Sequence, residues 1–216
     1  MPSVSPLIPG WKAEQERRAG LVKIRPLDPL PRFVAGVDAA FSGDKKTIYA
    51  VALVYDRLEQ RVLEVCKVAQ SLSVPYIPGF LSFREGPAVT AAIMGLKHPF
   101  GVICFDGQGY AHPRRCGIAC HVGVELDVPS VGVAQSVLIG EFKAPRKKAG
   151  STSPLIDPKK DEILGCALRT RDGVKPIFLS VGHKIDLPSA CDLAMACVTR
   201  YRIPEPTRQA DIEVAK

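Results

Sequence analysis

Apolar runs broken by short polar turns fill residues 33 to 71. FVAGVDAAF, IYAVALVYD and RVLEVCKVA are rich in β-branched residues and are separated by SGDKKT and RLEQ. This pattern predicts three strands joined as an antiparallel meander. Residues 1 to 32 carry six prolines and one helical stretch, WKAEQERRAGLV, and so read as a peripheral arm packed on a single domain over 33–216. Beyond the meander the period changes. PAVTAAIMGLK has helical spacing, with Pro87 tolerated in a first turn. FGVICFD reads as a short buried strand, RRCGIACHVGVEL as a helix and PSVGVAQSVL as another strand.

Residues 140 to 160 are rich in lysine, proline and serine and predict a loop, after which LGCALRT and KPIFLSVG pair as a hairpin. A last helix over PSACDLAMACVTRYR places Ala190, Ala194, Cys197 and Tyr201 on one face. A meander followed by alternating helices and strands predicts an α/β fold, a mixed sheet with helices on both faces.

Composition changes this picture little. With 216 residues, 46% hydrophobic and 24% charged, the chain can bury one sizeable core. Its 29 basic and 22 acidic residues leave a net charge of +7, which suits a polyanionic partner. No apolar run approaches the roughly 18 residues of a membrane helix, and MPSVSPLIPG lacks a secretory pattern. Seven scattered cysteines predict reduced thiols in the cytoplasm. A soluble cytoplasmic monomer is expected.

The chemistry begins with two acids that end apolar strands, Asp38 in FVAGVDAAF and Asp106 in FGVICFD. A carboxylate in such surroundings needs a partner. If the strands are neighbours, the two converge at one sheet edge, where Glu85 of PYIPGFLSFREG could join them. Three such acids repel, and a divalent cation is the usual compensation, with oxygen ligation favouring Mg²⁺ or Mn²⁺. Strand-end caps with surface ion pairs are the competing reading. The glycines of DGQGYAH allow a tight turn and close approach of a ligand. His112 follows, and Arg114 with Arg115 is expected to open a helix that favours phosphate. His112, Cys116, Cys120 and His121 suggest zinc, but paired Cys-x-x-Cys knuckles are missing.

VAGVDAAF, PYIPGFLSFREGPAV, DGQGYAHPRRCGIACHVG, PSVGVAQS, SVGHKIDL and YRIPEPTRQAD together resemble the endonuclease V family, in its bacterial form, in the family's order over residues 33 to 211. The resemblance implies a ribonuclease-H-like fold. It also implies a DNA-repair nuclease, dependent on Mg²⁺ with Mn²⁺ able to substitute, that hydrolyses the second phosphodiester bond 3′ to deoxyinosine and leaves 3′-hydroxyl and 5′-phosphate ends. By position in the motifs, Asp38, Glu85 and Asp106 resemble the metal-binding catalytic acids, and His183 the histidine beside them.

Tyr76, Ile77, Pro78 and Gly79 resemble a wedge that fills the gap left by an extruded base. Backbone near Gly79, Leu81, Gly107, Gly117 and Gly132 resembles the pocket that reads the base, and His112 lies beside it. Arg114, Arg115, Lys147, Lys148 and Arg208 are the expected backbone contacts. Where the family usually has lysine, this chain has Gln135, a weaker stabiliser of developing charge. Two alternatives follow: an inosine-specific ribonuclease, or a catalytically weakened binder of inosine-containing DNA. A junction-specific nuclease of the same fold fits the PYIPG wedge less well.

Overall fold

The structure, a computed structural model, describes residues 5 to 216. The meander appears nearly as predicted: β1 (Phe33–Phe41), β2 (Thr47–Asp56) and β3 (Arg61–Ser71) pair antiparallel. Two strands, β4 (Val102–Asp106) and β5 (Ser130–Ala134), then run parallel to β1. They are reached through α2 (Leu81–Met94) and α3 (Ile118–Leu126). The expected hairpin is β8 (Glu162–Leu168) with β9 (Ile177–His183), and β9 pairs antiparallel with β5.

Residues 140 to 160 are not all loop, because β6 (Glu141–Phe142) and β7 (Thr152–Asp157) extend the sheet to nine strands. Their order is β3-β2-β1-β4-β5-β9-β8-β7-β6. Pro154 argues against a strand in sequence, yet it is tolerated in β7. The two-residue β6 pairs only with Leu155 and Ile156 and asks no hydrogen bond of the proline.

Strand alternation divides the core into two layers. Val34, Val102, Cys104, Val131 and Val133 face α4 (Leu187–Ala196) through Ala190, Leu193 and Ala194. Ala35, Val37, Ile103 and Phe105 face α2 and α3 through Ala88, Ala92, Ile118 and Val122. The last helix, α5 (Glu205–Val214), lies over β1 and β2, with Ala210 against Leu53 and Tyr55. Helices therefore cover both faces.

Helix boundaries differ from expectation in three places. α2 begins at Leu81, so Pro87 is interior and Glu85 sits on the helix rather than before it. α3 begins only after Gly117, which leaves Arg114 and Arg115 in the preceding loop. α4 stops at Ala196, so Tyr201 is off its face, and residues 205 to 214 form the separate α5 after Pro204. Near the amino terminus, α1 (Ile8–Ala19) packs against α2, with Trp11 stacked on Phe83 at 4.9 Å and 13°. Among the described residues no helix is long and apolar enough to cross a membrane.

Candidate active site

The parallel register of β1 and β4 pairs Val37 with Phe105, so the next residues, Asp38 and Asp106, stand side by side, Asp106 at the carboxyl end of β4 but Asp38 within β1, which runs on to Phe41 rather than ending at the acid as expected. Above β1 lies α5, pressed so close that a Cβ on Gly36 would stand 2.0 Å from the Pro206 carbonyl oxygen. Only glycine fits there. From that anchor the helix carries Asp211 over the same edge, where its charge raises the proton affinity of both Asp38 and Asp106. Glu85 approaches from α2 and experiences both strand acids.

Burial is the main cause of the raised affinities, with like charge second. Asp38 is pushed up to about 7 by burial, then by Asp106 and Asp211, against the stabilising 2.8 Å hydrogen bond it accepts from the Ala39 N–H. Glu85 is pushed up to about 8 by burial and Asp38, partly offset by Arg84. Asp106 is raised by burial and by Asp211. Among the described residues, no three histidine, cysteine or acidic side chains are already drawn together as ligands of one ion. What the side chains form is a set of four acids in which Asp38, Asp106 and Asp211 disfavour one another's charge and Glu85 feels Asp38 and Asp106. An all-oxygen set with this unrelieved repulsion fits a hard divalent cation.

Asp211 is the site residue that the sequence reading did not single out. It ends the YRIPEPTRQAD block on an exposed helical position, without the apolar strand that makes Asp38 and Asp106 conspicuous. His183, in contrast, is not brought to the acids. β9 runs antiparallel to β5, so His183 pairs with Ser130 at the start of β5, whereas Asp106 aligns with Val133 near its end. The ring is buried and pinned at the opposite sheet edge. Nδ1 accepts from the Lys23 N–H at 3.2 Å, and Nε2 lies 3.0 Å from Asp127 Oδ1, which assigns the proton to Nε2.

Beside the acids, the exits of β4 and β5 and the start of α2 enclose a cavity of about 190 Å³. Tyr76, Gly79, Leu81, Gly107, His112 and Gly117 line it, together with Ser82, Gln108, Ile118 and Ser136 to Leu138. Tyr76 is 65% exposed at the rim, and Ile77 and Pro78 continue the same turn. Gly79 has φ +80°, and its carbonyl accepts three hydrogen bonds: from Arg114 Nη2 at 2.7 Å, His112 Nε2 at 3.1 Å and Gln15 Nε2 at 3.1 Å. His112 is pushed down to about 4 by burial and by Arg114, so it is neutral at neutral pH. Gly132 does not line the cavity. A Cβ there would strike the Gly107 to Gly109 backbone at 2.5–2.7 Å, so its smallness serves packing of the β4 exit.

The expected cations divide. Arg115 is not at a helix start: its guanidinium is buried and paired with Asp157 and Glu162, each at 2.6 Å, leaving it no charge to offer a phosphate. Arg114 lies over the Phe80 ring at 4.4 Å and bonds Gln15 and Gly79. Arg208 pairs with Glu205 at 2.6 Å. Lys147 and Lys148 are exposed between β6 and β7. Gln135, just past β5, is exposed and accepts from Arg202 at 2.6 Å.

A meander continued by parallel strands, with acids meeting at their carboxyl edge, defines a ribonuclease-H-like protein. Comparison with known proteins narrows that class. The family model of Endonuclease V matches residues 16–212. Endonuclease V of Roseiflexus castenholzii is 48% identical over 198 residues, covering 91% of this chain and 87% of that protein. The chain therefore belongs to the endonuclease V family. The crystal structure of Endonuclease V from Streptomyces avermitilis superposes with a TM-score of 0.91 at 40% identity, covering 96% of this chain and 91% of that one. Ciona intestinalis Endonuclease V, solved with a 23mer DNA containing an inosine followed by a ribo-adenosine, gives 0.85 at 27% identity, covering 98% and 96%.

Proposed function

We propose that this protein is a DNA-repair endonuclease that recognises deaminated purines, deoxyinosine foremost, and hydrolyses the second phosphodiester bond on the 3′ side of the lesion, leaving 3′-hydroxyl and 5′-phosphate ends. The observation that carries the reading is the meeting of four carboxylates beside a small cavity whose rim bears an exposed aromatic side chain. Tyr76, stiffened by Pro75 and Pro78 and held through the Gly79 carbonyl, fills the gap in the stack, while the cavity takes the extruded base. Unstacking costs a few kcal/mol, least for a mispaired base, and a rigid wedge offsets part of that.

Asp38, Glu85 and Asp106 would hold Mg²⁺, or Mn²⁺ in its place. When bound, such a cation polarises the phosphate and stabilises the leaving 3′-oxygen. Asp211, exposed on α5 and facing Asp38 and Asp106, is placed to orient the attacking water and accept its proton. His183, which the sequence resemblance sets beside the acids, lies instead at the other end of β5. Holding the strand in line with that water is the remaining contribution of the chain.

One observation favours a second reading, an inosine-specific ribonuclease: the Ciona protein is seen with a ribonucleotide directly after the inosine. Matched deoxyinosine and inosine oligonucleotides, with undamaged controls, separate the readings in the presence of Mg²⁺, Mn²⁺ or EDTA. Nicking confined to the deoxyinosine duplex and abolished by EDTA is expected. A shifted but uncut duplex would instead mark a binder weakened at Gln135.

A further inference from the structure

We propose that Arg202, oriented by Gln135, forms a phosphate-binding subsite beside the acid cluster that holds a backbone phosphate flanking the scissile one. The proposal rests on the nucleic-acid reading above and adds to it a ligand group on the connection between α4 and α5. Val133 of β5 aligns with Asp106 of β4, and Gln135 follows two residues later, so the amide sits at the sheet edge that carries the acids, one strand removed from them. There its Oε1 accepts from Arg202 Nη2 at 2.6 Å, and the Pro176 carbonyl accepts from Nη1 at 3.2 Å.

Both acceptors are neutral. Among the described residues Arg202 pairs with no carboxylate, unlike Arg115 and Arg208. A half-buried guanidinium held in place with its charge uncompensated and donors unused is suited to an anion, and its planar fork matches phosphate geometry. Its main chain is fixed as well, because the Thr170 hydroxyl, buried, donates to the Arg202 carbonyl at 2.7 Å. Little ordering remains to be done when a phosphate arrives.

Position decides which phosphate. Arg202 reaches the exit of β5, whereas the reacting phosphate belongs over β1 and β4 between Asp38 and Asp106. The ligand is therefore a neighbouring backbone phosphate, and the contact contributes to binding of substrate and transition state alike. The sequence-independent part of nucleic-acid affinity falls with salt in proportion to the phosphates neutralised.

The test measures affinity against NaCl concentration, in EDTA, for a deoxyinosine duplex and the same duplex without the lesion. Relative to wild type, Arg202→Ala should lower the slope of log affinity against log salt by about 0.9 on both duplexes, and Arg202→Lys should retain it. Gln135→Glu places a carboxylate against the guanidinium and should lower the slope as Arg202→Ala does, which keeps the test valid should Arg202→Ala fold poorly. Arg61→Ala, exposed and paired with Glu59 at the far edge strand, should leave the slope unchanged. In steady-state nicking with Mg²⁺, Arg202→Ala should raise KM while kcat stays within about twofold. A wild-type slope in Arg202→Ala and Gln135→Glu, or a loss confined to kcat, overturns the subsite. Failure of wild type to nick the deoxyinosine duplex overturns the proposed function instead, and the salt slopes still decide the fate of Arg202.

Discussion

Asp38 and Asp106 announce themselves in sequence because each lies in an otherwise apolar strand, where an ionised group is costly. Their side-by-side placement needs only that β1 and β4 be neighbours in parallel register. Asp211 and His183 show the limit of such reading. A helix residue gives no sign of which strand its helix will cover, and a histidine inside a motif gives no sign of which sheet edge its strand ends on. The two substitutions separate cleanly. Asp211→Asn should lower nicking by about a hundredfold or more while leaving the melting temperature near wild type, as expected for loss of a proton acceptor. His183→Ala should lower melting by several degrees, since it leaves the Lys23 N–H without its acceptor, takes one of the partners of Asp127 and empties a buried site, and should leave nicking within a few-fold. Rates and melting curves of the two variants check this, and the opposite pattern would return the histidine to the reaction.

At the scale of elements, the meander and the β8–β9 hairpin were readable from apolar, β-branched runs separated by polar turns, whereas three features were hidden for physical reasons. β7 carries a proline, α2 carries one in its interior, and the boundary between α4 and α5 lies in a stretch that kept helical spacing. The tip formed by residues 75 to 80 illustrates how elements distant in sequence build one device. Its Gly79 carbonyl takes donors from α1 through Gln15 and from the loop after β4 through His112 and Arg114. Removing the first of these should loosen the wedge without touching the acids. Gln15→Ala should cost about 1 kcal/mol, a melting decrease of about 2–4 °C for a chain of this size. It should also weaken binding to inosine-containing duplex more than to single strands, as gel-shift titrations would read. An equal loss on both would assign Gln15 to folding alone.

For the whole molecule, the acid cluster is a place where the fold gives up stability to hold charge. Asp38 and Glu85 keep their protons to about 7 and about 8 when folded, against about 4 for ordinary carboxyls. Between roughly pH 4 and pH 8 the folded protein therefore binds more protons than the unfolded chain. The contribution of these groups to stability falls as pH rises through that window and is fully lost above it. In EDTA, thermal melting should decline from pH 5 to pH 8 by more in wild type than in a Glu85→Gln variant, and a divalent cation should restore most of the difference at pH 8. Equal pH dependence in the two proteins would remove the carboxylates from this account.

The central claim is that the edge shared by β1 and β4 cuts the strand at a fixed distance from a base sensed by the Tyr76 tip. It is tested most directly by mapping the nick on an end-labelled deoxyinosine duplex with Mg²⁺, using wild type and Asp106→Asn side by side. Wild type should give one product, cut at the second phosphodiester bond 3′ to the lesion with a 3′-hydroxyl end, and Asp106→Asn should bind the duplex without cutting it. Cleavage by Asp106→Asn at a rate near wild type, or wild-type cuts scattered without regard to the lesion, would contradict it.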